Sequence, residues 1–284
     1  MFLRRLSLPT TCFAILLYLS SVIASQDPSI AFASQDQSNS PGSTLPPIEI
    51  KTESIEVVNI QVTKDGWVLD VKNISSKDIV GLSVYTLAKQ GDSGRTYIDG
   101  KGPLEPLIPV GQVHRVDAAV GGSGFRLPWV TTTERPEQPT IVIGGVAFKD
   151  WTFEGDVDVA VTSFPYRRGS QIQMTKIIPL LKRALESPEQ DESKVIAELR
   201  LEVSALSEQD SQAAYSLAGM LAPSSPIGVT EIIRRRLNNS LTSVKEGMLS
   251  GLKRYEAERA SKGEGLQKWL TERKVYYEKL LGQM

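Results

Sequence analysis

Near residue 165 the spacing of apolar residues changes from every second position to every third or fourth, so strands must precede helices in this chain. Ahead of the change, Trp67, Leu69 and Val71 alternate with Val68, Asp70 and Lys72, which puts the first set on one face of a strand. The turn residues Lys64, Asp65 and Gly66 join it to residues 55–62 as a hairpin. A polar turn at 73–78 leads into 79–87, where Val80, Leu82 and Val84 repeat the period of two. Pro109, Val110 and Gly111 precede a strand over 113–120. Residues 141–148 are continuously apolar, as in a strand buried on both faces. Six or more short strands with turns between them predict an antiparallel β-sandwich of about 115 residues.

Behind the change, Met174, Ile178, Leu181 and Leu185 form a helical stripe, in which Pro179 must kink the helix or open a new one. Val195, Leu199, Val203 and Leu206 form a second. Ile233, Leu237, Leu241, Val244, Met248, Leu252 and Tyr255 form a third, and Leu266, Leu270, Tyr277 and Leu281 resume it after Gly263 and Gly265. The expected fold class is α+β multidomain, with an N-terminal antiparallel β-sandwich over 48–165 and an α-helical region over 166–284.

The first residues predict an address. Arg4 and Arg5 precede an apolar run at 12–23 that closes on small residues, the pattern of a signal peptide cleaved after Ala24, with Ala33 as an alternative end. The run is short of the roughly 20 residues of a membrane-spanning helix, so no transmembrane span is expected after cleavage. Residues 25–47, rich in Ser, Gln, Asp, Asn and Pro, read as a disordered linker. The expected localisation is exported, periplasmic or secreted.

Cleavage would remove Cys12, the single cysteine, and leave 30 basic against 33 acidic residues. A chain with no thiol has no disulfide and holds together by core burial. A formal balance of −3 provides no global attraction to nucleic acid, and no nucleic-acid partner is expected.

The run Val71 to Ile79, followed by Leu107-Ile108-Pro109-Val110-Gly111, resembles the strand, turn and strand layout of immunoglobulin-like or fibronectin-like modules in exported bacterial proteins. The segment Phe148-Lys149-Asp150-Trp151-Thr152-Phe153-Glu154-Gly155-Asp156 resembles the closing hairpin of exported bacterial proteins with no assigned activity. The resemblance covers the β half, implies that the antiparallel β-sandwich is immunoglobulin-like and has a binding or scaffolding role, and transfers no functional residue.

His114 is the sole histidine, which excludes two-histidine zinc motifs. A Ser-His-Asp triad lacks its serine signal, because Gly121-Gly122-Ser123-Gly124-Phe125 starts like a nucleophile elbow and ends in Phe, in a loop before Pro128. Ser250 and Lys253 satisfy S-x-x-K without the companion motifs of that chemistry. Asp150, Glu154, Asp156 and Asp158 are the densest acidic group, and on a strand the last three would share one side. They are candidate calcium ligands, beside the plainer reading of a solvated hairpin face. Phe125 and Trp129, on a long irregular stretch, are candidate partner contacts. So are Arg234, Arg235 and Arg236, although interspersed glutamates favour i, i+4 pairing on a solvated helix face. Gly247 and Gly251 suggest close helix packing.

No motif specifies a cofactor, and none is expected. By elimination the chain reads as an exported, non-enzymatic interaction or scaffold protein, with an envelope or extracellular protein as partner. Two alternatives are a hydrolase using carboxylates of the 150–158 hairpin, and a module that assembles through its C-terminal helices.

Overall fold

A computed structural model describes residues 45–63, 66–87, 95–99, 105–119, 140–189, 191–222, 227–262 and 265–282. Residues Thr44–Met284 form one compact unit. The fold is α+β, and the described residues form strands in two sheets followed by five helices.

The strands are β1 (Ile48–Ile50), β2 (Ile55–Thr63), β3 (Gly66–Asn73), β4 (Ile79–Leu87), β5 (Arg95–Asp99), β6 (Val113–Ala119), β7 (Thr140–Phe148) and β8 (Phe153–Gly155). One sheet has the order β1-β7-β4-β5, with β8 also on β7; the other has the order β2-β3-β6. The β2–β3 hairpin pairs Thr63 with Gly66 as expected, with Lys64 and Asp65 of its turn lying outside the described residues. All pairings are antiparallel except that of β1 with β7, which is parallel and makes the first sheet mixed.

The alternation in β3 decides which side faces inward. Leu69 and Val71 are fully buried and share a core with Ile55, Val116, Leu82, Val84, Ile141, Ile143, Val146 and Phe148, so the two sheets meet over one apolar layer. The opposite side of the three-stranded sheet is polar, with Asn59 bonded to Asp70 at 2.8 Å and Arg115 to Gln61 at 2.8 Å. Nearly all of β4 and β7 is buried, because their second side is covered by helices.

Those helices are α1 (Asp158–Glu186), α2 (Glu192–Ser204), α3 (Ser211–Leu221), α4 (Ile227–Lys262) and α5 (Leu266–Gly282). The first opens ahead of the expected boundary at 165 and runs through both Pro165 and Pro179, so Pro179 does not start a new helix. Leading acidic residues cap α2 and α3: the carboxylate of Asp191 accepts from Ser193 N at 2.9 Å, and that of Asp210 from Ala213 N at 2.9 Å. Helix α3 is not among the expected stripes, its apolar face at Ala214, Leu217, Ala218 and Leu221 being short.

Helix α1 is the hub, touching β4, β5 and β7 as well as the four other helices. Its first half packs with Val80 and Ala147 of the sheet and with α3 and α4. Its second half packs with α2, α4 and α5. Between the halves α1 and α4 cross closely: a Cβ on Gly169 would lie 2.5 Å from Leu237 O, and Ser240 Oγ sits 2.7 Å from Ser170 Oγ and donates to Tyr166 O at 2.6 Å. The expected close packing at Gly247 and Gly251 is corrected: among the described residues nothing lies within 4 Å of a Cβ on Gly247, and Gly251 meets Trp269 and Arg273 at ordinary distance.

Candidate functional site

The long edge of β7 is shared by two short strands running toward each other. Parallel β1 covers Ile141, Val142 and Ile143, and antiparallel β8 covers Gly145, Val146 and Ala147. They leave the sheet at the same place, where Lys51 N donates to Ile143 O at 3.0 Å and Asp156 N to Gly144 O at 2.7 Å. The approach requires glycine three times, and at Gly145 a Cβ would lie 2.6 Å from Glu154 O. Gly155 has φ +76°, and a Cβ on it would lie 2.2 Å from Gly144 O. A Cβ on Gly144 would lie 2.6 Å from the Tyr85 ring and 2.9 Å from the Asp156 carboxylate.

The acidic hairpin is engaged at this junction. The Glu154 carboxylate accepts from Thr52 Oγ1 at 2.5 Å, Ser54 Oγ at 2.7 Å and Glu53 N at 3.2 Å, clamping the turn by which the chain passes from β1 to β2. Partial desolvation pushes its pKa up, but the bonds from Thr52, Ser54 and the backbone outweigh that and hold it below the ordinary value. Asp156 pairs with Lys51 Nζ at 3.3 Å and accepts from Tyr85 Oη at 3.2 Å; the Lys51 ammonium lies 5.5 Å from the Tyr85 ring centre. The Lys51 pKa is raised: burial lowers it, and Tyr85 and Asp156 outweigh the burial.

Asp150 lies at the other end of the hairpin. It pairs with Lys77 Nζ at 2.8 Å and accepts from Thr152 Oγ1 at 2.5 Å and Thr152 N at 3.1 Å. Its pKa is lowered, the small desolvation being outweighed by Lys77 and Thr152. The turn places Trp151 at φ 68° with its ring 5.3 Å from that of Phe164 in α1 and 5.9 Å from the Arg167 guanidinium. This packing ties the hairpin to the helix that follows it.

The expectation that Glu154, Asp156 and Asp158 share one side of a strand is corrected. Strand β8 ends at Gly155, whose left-handed conformation turns the chain, and Asp158 is the buried first residue of α1. Asp150, Glu154 and Asp156 have different partner sets, and among the described residues no three of His, Cys, Asp or Glu are grouped to hold a metal ion. Lys51, Thr52, Ser54, Lys77 and Tyr85 went unnoticed in the sequence because they lie about 70 to 105 positions from their carboxylate partners.

His114 stands in β6 opposite Val71, half-buried on the inward side of the three-stranded sheet. Phe125, Trp129 and the Gly121–Gly124 loop lie outside the described residues. Arg234 pairs with Glu231 at 2.6 Å, an i, i+3 contact on α4; Arg235 is exposed and Arg236 half-buried. Ser250 and Lys253 are exposed on the same helix. The apolar stripe Ile233, Leu237, Leu241, Met248, Leu252 and Tyr255 is buried in the chain's own cores.

A groove of about 330 Å³ lies between the end of α1 and the face of α2, with Val195 and Leu199 at its floor. No helix among the described residues is long and apolar enough to cross a membrane. The fold defines an α+β protein whose mixed sheet lies between a second sheet and a helical layer. Compared with protein-family models, with curated proteins and with solved structures, the chain has no match in any of the three.

Proposed function

We propose that the chain is an exported, non-enzymatic interaction or scaffold protein of the cell envelope or exterior. In this reading an immunoglobulin-like variant of a two-sheet module is fused directly to its helices. The division into a four-strand path and a three-strand sheet supports the module, and the leader pattern of residues 1–24 supports export.

The observation that carries the non-enzymatic part is how the hairpin carboxylates are used. Glu154, Asp156 and Asp150 each hold a segment distant in sequence, and Glu154 has a lowered pKa, the wrong direction for a general acid. Assembly through the helices would have to use faces other than the α4 stripe, which is already core. Exposed side chains such as Leu201, Tyr215, Met220, Val275 and Tyr276 lie on α2, α3 and α5 and are available for it.

The test is in-cell crosslinking and fractionation of the full chain, tagged at its C-terminus, with mass measurement of its N-terminus. The expected result is a chain processed near residue 24 or 33, in an extracytoplasmic fraction, crosslinked to a defined protein. An intact leader on a cytosolic chain would overturn export. Hydrolytic turnover that is lost in a folded Glu154→Gln, Asp156→Asn variant would overturn the non-enzymatic reading.

A further inference from the structure

We propose that the groove between the end of α1 and α2 receives a lysine or arginine side chain of a partner protein; this rests on the interaction reading above. At about 330 Å³ the groove stands at the low end of the roughly 300–1,000 Å³ usual for ligand sites, suited to one side chain.

Its floor is apolar. Val195 and Leu199 are 6% and 2% exposed, and Ala184 and Pro188 continue the surface they begin. An aliphatic stem of three or four methylenes covers such a floor while its charged head stays at the rim.

Its rim is acidic and incompletely paired. Arg183 Nη2 contacts Glu202 Oε1 at 2.6 Å, which matches one positive charge with one negative. Glu186 and Glu198 also line the groove, and among the described residues neither makes an ion pair. Helix α1 ends at Glu186, so the negative end of its dipole adds to theirs at the same spot. Two uncompensated carboxylates and a helix C-terminus above an apolar floor complement a cation on an aliphatic stem. A bare metal ion would leave the floor unused. The Arg183–Glu202 pair already shows the chemistry within the chain.

The test uses the full chain with labelled Val and Leu methyl groups, titrated with acetyl-arginine amide, acetyl-lysine amide and, as an uncharged control of similar shape, acetyl-citrulline amide. The expected result is shifts centred on Val195 and Leu199 with at least one cationic probe and none with citrulline. The apparent affinity should fall about three- to tenfold in Glu186→Gln, Glu198→Gln, the size of two exposed ion pairs. Both substitutions are at surface positions and should leave thermal unfolding unchanged. Equal shifts with citrulline, no shifts, or an undiminished response in the variant would overturn the site.

In-cell crosslinking of the same variant separates the two proposals. A partner held by the wild type and lost by the variant supports the groove. A partner held equally by both overturns the groove and leaves the interaction reading intact. Methyl shifts in a chain that crosslinks to nothing overturn the interaction reading, while the cation site stands.

Discussion

The two sheets are built from similar strands yet bury them differently. From Ile141 to Phe148 every residue of β7 is buried, whereas β2 beyond Ile55 is half-buried or exposed. The difference is the helical layer. Helix α1 lies against β4 and β7, and among the described residues no helix makes a comparable contact with the three-stranded sheet, whose outer side carries half-buried Asn59 and Asp70 and exposed Arg115. A strand covered on both sides reads as an apolar run, and one covered on a single side as an alternation. The doubly covered layer also carries polar atoms that its surroundings leave unmatched. Ser83 Oγ, Thr162 Oγ1 and both amide atoms of Gln173 are buried without a hydrogen-bond partner among the described residues.

The contrast is tested most severely by truncation in each sheet. Ile143→Ala, at a fully buried position, should cost about 3 kcal/mol or more in chemical unfolding, whereas Val62→Ala, 49% exposed, should cost under about 0.5 kcal/mol. Equal losses would mean that Val62, at the end of the inward side opposite Trp67, is packed as tightly as Ile143.

A second effect sits in the helical layer. Burial pushes the Tyr277 phenol up to about 12, with Arg273 opposing it. A raised folded value means that stability is fully present below the unfolded value of about 10 and is lost as pH rises through 12. Tyr277→Phe should remove that pH dependence, on the order of 2–3 kcal/mol, in unfolding measured from pH 9 to 12. Parallel alkaline curves for the two proteins would place Tyr277 in water.

At the junction the effect is smaller because the carboxylate is part exposed. Glu154→Gln should cost about 1–2 kcal/mol at pH 7. The folded pKa is lowered, so the stabilisation exists above the ordinary carboxylate range and disappears as pH falls through the folded value. Wild-type and variant stabilities should therefore converge below about pH 4. A constant gap down to pH 2 would assign the loss to packing rather than charge.

The smallest predicted effect has the opposite sign. Gln173→Met keeps the volume and removes a buried, unmatched amide, so it should raise stability by about 1 kcal/mol in thermal unfolding. A loss of similar size would show that the amide is satisfied within the folded core.

Much of the architecture is legible in local spacing. Residues 79–87 and 141–148 read as strands and fold as β4 and β7, and the stripes beginning at Val195, Ile233 and Leu266 fold as α2, α4 and α5. The start of α1 escaped because Val159 and Val161 are β-branched and at home in a strand. Helix α3 escaped because eleven residues hold few turns of a stripe. Of the candidate site, the density of acid at 150–158 was visible, but its meaning was not.

The sequence by itself determined the order of strands before helices, the face of β3 turned inward and the sole histidine, because these depend on residue type and on neighbours a few positions away; the irregular pairing of β4 with β7 instead turns Val80 to the helices and Leu82 and Val84 to the other sheet. Only the tertiary structure decided that Glu154 clamps Thr52 and Ser54, that Lys51 and Tyr85 meet Asp156, and that Glu186 and Glu198 line one groove. Most of those pairs are separated by some 70 to 105 residues, a distance at which local spacing carries no information and the packing of β1 and β8 on one edge of β7 sets what each carboxylate meets.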